Sequence, residues 1–158
     1  MPSPSIINVL IREHQELSRL MKQALATTEK AASKRSDIWS RIFDVLTIHA
    51  EFEEQSIYPL LMTDKTGKEV REGTLEAVEE HAQIKALLRE ISDTPVTDER
   101  WKAKLTVLAE DVHHHVKEEE QRDGLFDNLR SATDTDTLKE LGRMYQAEQE
   151  EMLLGRAR

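Results

Sequence analysis

Residues 49–55 read HAEFEEQ and residues 115–121 read HVKEEEQ: in each, a histidine, a glutamate four positions on, then Glu-Gln. Residues four apart on a helix lie on one face, so His49 faces with Glu53 and His115 with Glu119. Each string has a histidine upstream, preceded by glutamate. Glu13-His14 lies 35 residues before His49, and Glu80-His81 lies 34 residues before His115. Leu20 and Leu87 each follow the first histidine of their half by the same interval. Such matched spacing predicts two helix hairpins of one design, related by a pseudo-twofold axis.

The surrounding sequence is helical in period almost throughout. Ile7, Leu10, His14, Leu17, Met21 and Ala24 recur at steps of three and four, as do Ile42, Val45, Leu46, His49 and Phe52. Ala77, His81, Ile84, Leu88 and Ile91 form a third stripe, and Trp101, Leu105, Leu108, Val112, His115 and Glu119 a fourth. The polar stretch 27–36 reads as a connection, with Ser36 as N-cap of the second helix. Tyr58-Pro59 predicts a kink or an end. Gly67 marks a loop, Pro95 and Thr97 break the chain, and Gly124 stops the fourth helix. Thr137 followed by Glu140 has capping-box spacing for a last helix. The expected fold is therefore all-α: an antiparallel up-down-up-down four-helix bundle over residues 1–130, with a C-terminal helix over 131–158 that packs outside it or mediates self-association.

Composition narrows the function. The chain has 158 residues, no cysteine and a net charge of −9. Disulfides, thiolate metal sites and cysteine nucleophiles are excluded. The acidic balance lacks the positive field that nucleic acid and anionic membranes attract. The apolar run Ile6–Ile11 is too short to span a bilayer and has no signal-peptide flanks, so a cytoplasmic protein is expected.

The helical phase puts His14, His49, Glu53, His81, His115 and Glu119 on the stripes that carry the core. Two carboxylates buried among four imidazoles are costly unless neutralised. A pair of metal ions does so with bonds to every group, and an all-N/O donor set suits iron, with manganese or zinc less favoured. His113 is expected to face solvent, His114 to flank the site at most, and Glu118 to support it from behind. A zincin would need His-Glu-x-x-His, which is absent. A ferritin-like site would need two Glu-x-x-His pairs, and only Glu110-x-x-His113 occurs.

The order His14, His49-x-x-x-Glu53, His81, His115-x-x-x-Glu119, with the following Glu-Glu and the aromatics Tyr58 and Phe126, resembles the hemerythrin-like HHE cation-binding family over about residues 5 to 128. The resemblance implies a non-haem di-iron centre, oxo- or hydroxo-bridged. Glu53 and Glu119 would be its bridging carboxylates and the four histidines its terminal ligands. Oxygen-carrying hemerythrins place two histidines one turn apart on the third helix. Here Ala77 and Lys85 flank His81 instead. That departure favours reaction with dioxygen or hydrogen peroxide, including catalase-like peroxide disproportionation in oxidative-stress defence. The alternatives are a non-enzymatic sensor of oxygen, nitric oxide or iron, and a structural zinc or metal-free bundle. A monomer or homodimer is expected.

Overall fold

The structure, a computed structural model, describes residues 3–157 and the side chains of 3–155; residues 1, 2 and 158, the outer ends of the two expected segments, lie outside the described residues. Helix α1 spans Ile6–Leu25, α2 Ala32–Phe52, α3 Tyr58–Leu61, α4 Lys68–Ser92, α5 Glu99–Glu120, α6 Leu125–Ala132 and α7 Thr135–Ala157. Among the described residues there is no strand, and no helix is long and apolar enough to cross a membrane. Helices α1, α2, α4 and α5 form the bundle: α1 packs on α2, α4 on α5, and α1 on α5.

Side-chain caps set two of the starts. The Ser5 hydroxyl accepts from the Ile7 N–H at 3.2 Å, and an Asp98 carboxylate oxygen accepts from the Arg100 N–H at 2.8 Å. Helix α7 starts at Thr135, earlier than Thr137 suggested. Asp134 accepts from the Thr137 N–H at 2.7 Å, while Glu140 is taken by Arg143, so no capping box forms. The stretch 27–36 is not a loose connection either. A 3₁₀ turn at Glu29–Ala31 leads into α2, and Ser36 lies inside that helix. Arg35 is the reason. Its buried guanidinium donates to Thr27 Oγ1 (2.8 Å), to the Thr27 carbonyl (2.9 Å) and to the Val96 carbonyl (2.6 Å), and lies 4.7 Å from the Trp101 ring. A cation so fully partnered belongs to the core despite its type.

Pro59 does not end the second rod. Residues Glu53–Ile57 form a π-helical turn in which the Tyr58 N–H reaches the Glu53 carbonyl, and α3 continues with Pro59 in its first turn. The wider turn accommodates the proline ring and its missing N–H. The other half turns differently. After α5, Asp123 adopts φ 61° and Gly124 packs so closely that a Cβ there would lie 2.4 Å from the Glu118 carbonyl oxygen.

Two apolar clusters fill the molecule. One gathers Leu17, Met21, Ile42, Leu46, Ile84, Leu88, Trp101, Leu105 and Val112. The other gathers Ile6, Leu10, Phe52, Ile57, Ala77, Phe126, Leu129, Leu141 and Tyr145. The four histidines fall in sequence at the junction, as His14 does between Leu10 and Leu17, so the polar groups form a layer between two oily ends. Helix α7 lies along α1 and α2, burying Leu138, Leu141 and Tyr145. A Cβ at Gly142 would lie 2.2 Å from the Pro4 carbonyl oxygen, so only glycine lets α7 approach this closely.

Candidate metal centre

All six inward residues are at most 5% exposed, and the structure brings them into one layer. His14 Nε2 lies 3.4 Å from His49 Nε2, and His81 Nε2 lies 3.0 Å from His115 Nε2. Glu119 Oε1 lies 3.2 Å from His115 Nε2, 3.4 Å from His14 Nε2 and 4.0 Å from His49 Nε2. Glu53 approaches His49 with Oε1 and His81 Nε2 at 3.8 Å with Oε2. Each carboxylate therefore spans both hairpins. Donor atoms fall into two groups that could each hold a metal ion: His14, His49, Glu53 and Glu119, and Glu53, His81 and His115.

The outward nitrogens are organised as carefully. His49 Nδ1 lies 2.6 Å from Glu13 Oε1, and its counterpart His115 Nδ1 lies 3.2 Å from Glu80 Oε1. His14 Nδ1 lies 3.1 Å from Glu120 Oε2, and His81 Nδ1 lies 3.8 Å from Glu54 Oε2. So the glutamate before each first histidine supports the second histidine of its own hairpin. Glu120, after the second x-x-x-Glu, supports the first histidine of the other hairpin, whereas Glu54 lies too far from His81 Nδ1 for a hydrogen bond. A carboxylate at Nδ1 keeps the proton there and leaves the Nε2 lone pair facing inward, which is the arrangement of a metal-ligating imidazole.

Without metal, protons take its place, and the layer favours imidazolium–carboxylate pairs. Burial disfavours a charged His115, but Glu119 and Glu80 outweigh it and push its pKa up to about 10. Burial is likewise overcome at His49, which Glu53 and Glu13 raise well above the usual range. Burial would raise Glu119, yet His115 and His14 hold it well below the ordinary carboxylate value. Burial dominates at His81 and lowers it to about 4, leaving a neutral ring. Glu53 Oε1 and both Glu119 oxygens nevertheless have no hydrogen-bond partner. Buried carboxylate oxygens without hydrogen bonds, with Glu53 Oε1 against His49 and Glu119 Oε1 3.2–3.4 Å from His115 and His14, fit a pair of cations.

Tyr58 adds an oxygen to the layer. The π turn aligns it with Glu53, and its hydroxyl donates to Glu53 Oε2 at 2.8 Å while lying 3.0 Å from His81 Nε2. Lys85, one turn beyond His81, directs its ammonium to Glu54 at 2.6 Å. Phe126 stacks on His14 at 5.8 Å, in the other half, as Tyr58 lies against His81 at 5.3 Å.

Some expectations need correcting. The supporting glutamate of α5 is Glu120, which faces α1; Glu118 turns outward, 3.9 Å from His114. His113 and His114 are exposed, and His114 touches the site only through Glu80 at 3.5 Å. The repeat carries a signal for Glu13, Glu80, Glu54 and Glu120, since each recurs beside a ligand-type residue. Tyr145 and Gln149 had no such signal. From α7, the Tyr145 hydroxyl donates to Glu13 Oε1, and Gln149 Nε2 donates to Glu13 Oε2 at 2.5 Å. Tyr145→Phe keeps the packed ring and removes one donor to the carboxylate behind His49. It should weaken metal binding about 10-fold or more, as loss of an outer partner does. Competition against a chelator measures this, and unchanged affinity would show that Gln149 suffices.

On the face towards the first apolar cluster, the four histidines line a small cavity of about 20 Å³ with Leu17, Leu46, Ile84, Val112 and Val116. It has room for one water-sized molecule.

Comparison with known proteins follows the same lines. A family model described as the hemerythrin HHE cation-binding domain matches residues 5–126. No curated protein matches the sequence significantly. A crystal structure of a hemerythrin HHE cation-binding domain-containing protein from Mycobacterium kansasii aligns with TM-score 0.77 and 19% identity, covering 94% of this chain and 86% of that one. At that identity the likeness is one of fold.

Proposed function

Since the chain belongs to the hemerythrin HHE cation-binding family, we propose that its buried layer holds two iron ions and reacts with dioxygen or hydrogen peroxide. His14, His49, His81 and His115 would be terminal ligands, and Glu53 and Glu119 would link the two ions. Residues 1–130 would be the metal-binding unit and 131–158 an accessory helix. The observation that carries this reading is the pair of buried carboxylates with unpartnered oxygens, each reaching imidazoles of both hairpins.

Bound iron would supply redox chemistry and polarise an O–O bond. The chain's own residues supply everything around it. Glu13, Glu80 and Glu120 hold His49, His115 and His14 by Nδ1, while Glu54 lies 3.8 Å from His81 Nδ1. Tyr58 holds a proton on Oη, 2.8 Å from Glu53 Oε2, and burial with the neighbouring Glu53 keeps that phenol far less acidic than usual. The aliphatic wall of the small cavity excludes bulk water and admits only a small uncharged molecule.

The test is to load the full chain with ferrous iron, expose it to air and add peroxide. The expected outcome is two iron ions per chain, near-ultraviolet charge-transfer bands and oxygen release above that of free iron. Iron far below that ratio with no such bands would overturn the reading. A second reading, a non-enzymatic sensor, is favoured by the link from α7 through Tyr145 and Gln149 to Glu13 and His49, which couples an outer helix to the site.

A further inference from the structure

The repeat creates two equivalent flanks, one beside Glu13 and one beside Glu80, and the chain treats them in opposite ways. Tyr145 and Gln149 hydrogen-bond Glu13, and the cleft on that side is lined by Arg12 and Arg41 together with Glu13 and Glu16. Glu80 is only partly buried. There an open cavity of about 160 Å³ leads inward between α4, the end of α5 and the start of α6. Glu69, Glu76, Glu80, Glu118 and Asp123 line it, and none of its lining residues is lysine or arginine.

The inner end of this cavity is formed by His115 and Glu119. Glu119 is 1% exposed, and neither of its carboxylate oxygens has a hydrogen-bond partner. An acidic surface patch that stops at the surface would be unremarkable; this one ends on a buried, unsatisfied carboxylate of the cluster. The wall is also kept open. Gly73 sits inside α4 on the cavity, and a Cβ added there would meet no atom within 4 Å. A helix-interior glycine with free space beside it is disfavoured by backbone entropy and is not required by packing.

We propose that this acidic opening is the route by which divalent cations reach the buried cluster, since the cleft on the α7 side carries two arginines and is lined by none of the six inward residues. The inference rests on the metal-centre reading above. Walls of one charge in a low-dielectric cleft concentrate counter-ions and raise association rates by roughly 10–1,000-fold, an effect that salt suppresses. The outer carboxylates draw the cation in, and Glu80 lies beside His115 where the opening meets the layer.

The experiment mixes metal-free full chain with Co²⁺ in a stopped-flow instrument and follows cobalt absorption. Glu69→Gln/Glu76→Gln/Glu118→Gln should slow uptake about 10-fold at low salt and flatten its salt dependence, with the final absorbance unchanged. Gly73→Leu narrows the passage. It should slow uptake and chelator extraction by the same factor, so that affinity is unchanged. Uptake at the wild-type rate in both variants would overturn the proposal while leaving the metal centre standing. A wild-type chain that takes up no cobalt or iron would sink the metal-centre reading and this inference with it.

Discussion

Stripping metal from the loaded full chain should lower its melting temperature by about 8–16 °C. A ligand held at 1,000 times its Kd stabilises the folded state by about 4 kcal/mol, and 1 kcal/mol shifts a chain of this size by about 2–4 °C. The effect should also depend on pH, with a definite sign. In the metal-free chain the His115 pKa is raised from 6.5 to about 10. A raised pKa contributes stability that is complete below pH 6.5 and is lost as pH climbs through about 10. Over the same window a metal ion has progressively less proton to displace. The metal-free chain weakens while the loaded one, whose His115 carries no extra proton to lose, holds steady, so the gap in melting temperature widens from pH 6.5 to pH 10. Glu119, held low, acts at the other end: its contribution fails only as pH falls below the ordinary carboxylate range. Scanning calorimetry with and without chelator across that range measures both effects. A melting temperature indifferent to metal throughout would be incompatible with ligation by these residues.

His115→Leu should destabilise the metal-free chain by about 3–5 kcal/mol, the cost of leaving a buried charge without its partner. Glu119 is 1% exposed, and His14 Nε2 at 3.4 Å is its nearest remaining imidazole nitrogen. Glu80, which also loses its His115 contact, is only partly buried and can take up water. Adding Glu119→Met removes the stranded carboxylate and should restore most of the loss. Replacing a whole buried pair by apolar groups of similar volume is often neutral, or stabilising by about 1–4 kcal/mol. Neither variant should load metal fully. Urea denaturation of the single and double variants, with metal titration alongside, gives the comparison. If the double variant is as unstable as the single one, the pair is ordinary packing and no stability was given up for a site.

The fold was largely legible because helical period and duplicated spacing are local properties of the chain. Ile7, Leu10, His14 and Leu17 define a face without reference to anything else. The turn chemistry at Gly124 needs only its neighbours. Errors came where a partner far along the chain decides. Arg35 looked like part of a solvated connection, and only Thr27 and the Val96 carbonyl make it a core residue. At Tyr58-Pro59, where a kink or an end was expected, the local backbone widened into a π-helical turn and the rod continued.

The candidate site divides in the same way. From the sequence alone came the six inward residues and the duplicated Glu-His and Glu-Glu pairs, but the support it named on α5 was Glu118, and the structure gives that place to Glu120. What only the tertiary structure decided was which Nδ1 each supporting glutamate faces, for helix phase is set by the chain and helix pairing is not. It also decided that Glu53 and Tyr58 meet across a widened turn. Above all it decided that the two halves differ. Helix α7 has no counterpart in the repeat, and its side chains hydrogen-bond Glu13 while Glu80 lines an open cavity. Repeats are written along one chain; a helix that bonds to one copy and not the other acts through space.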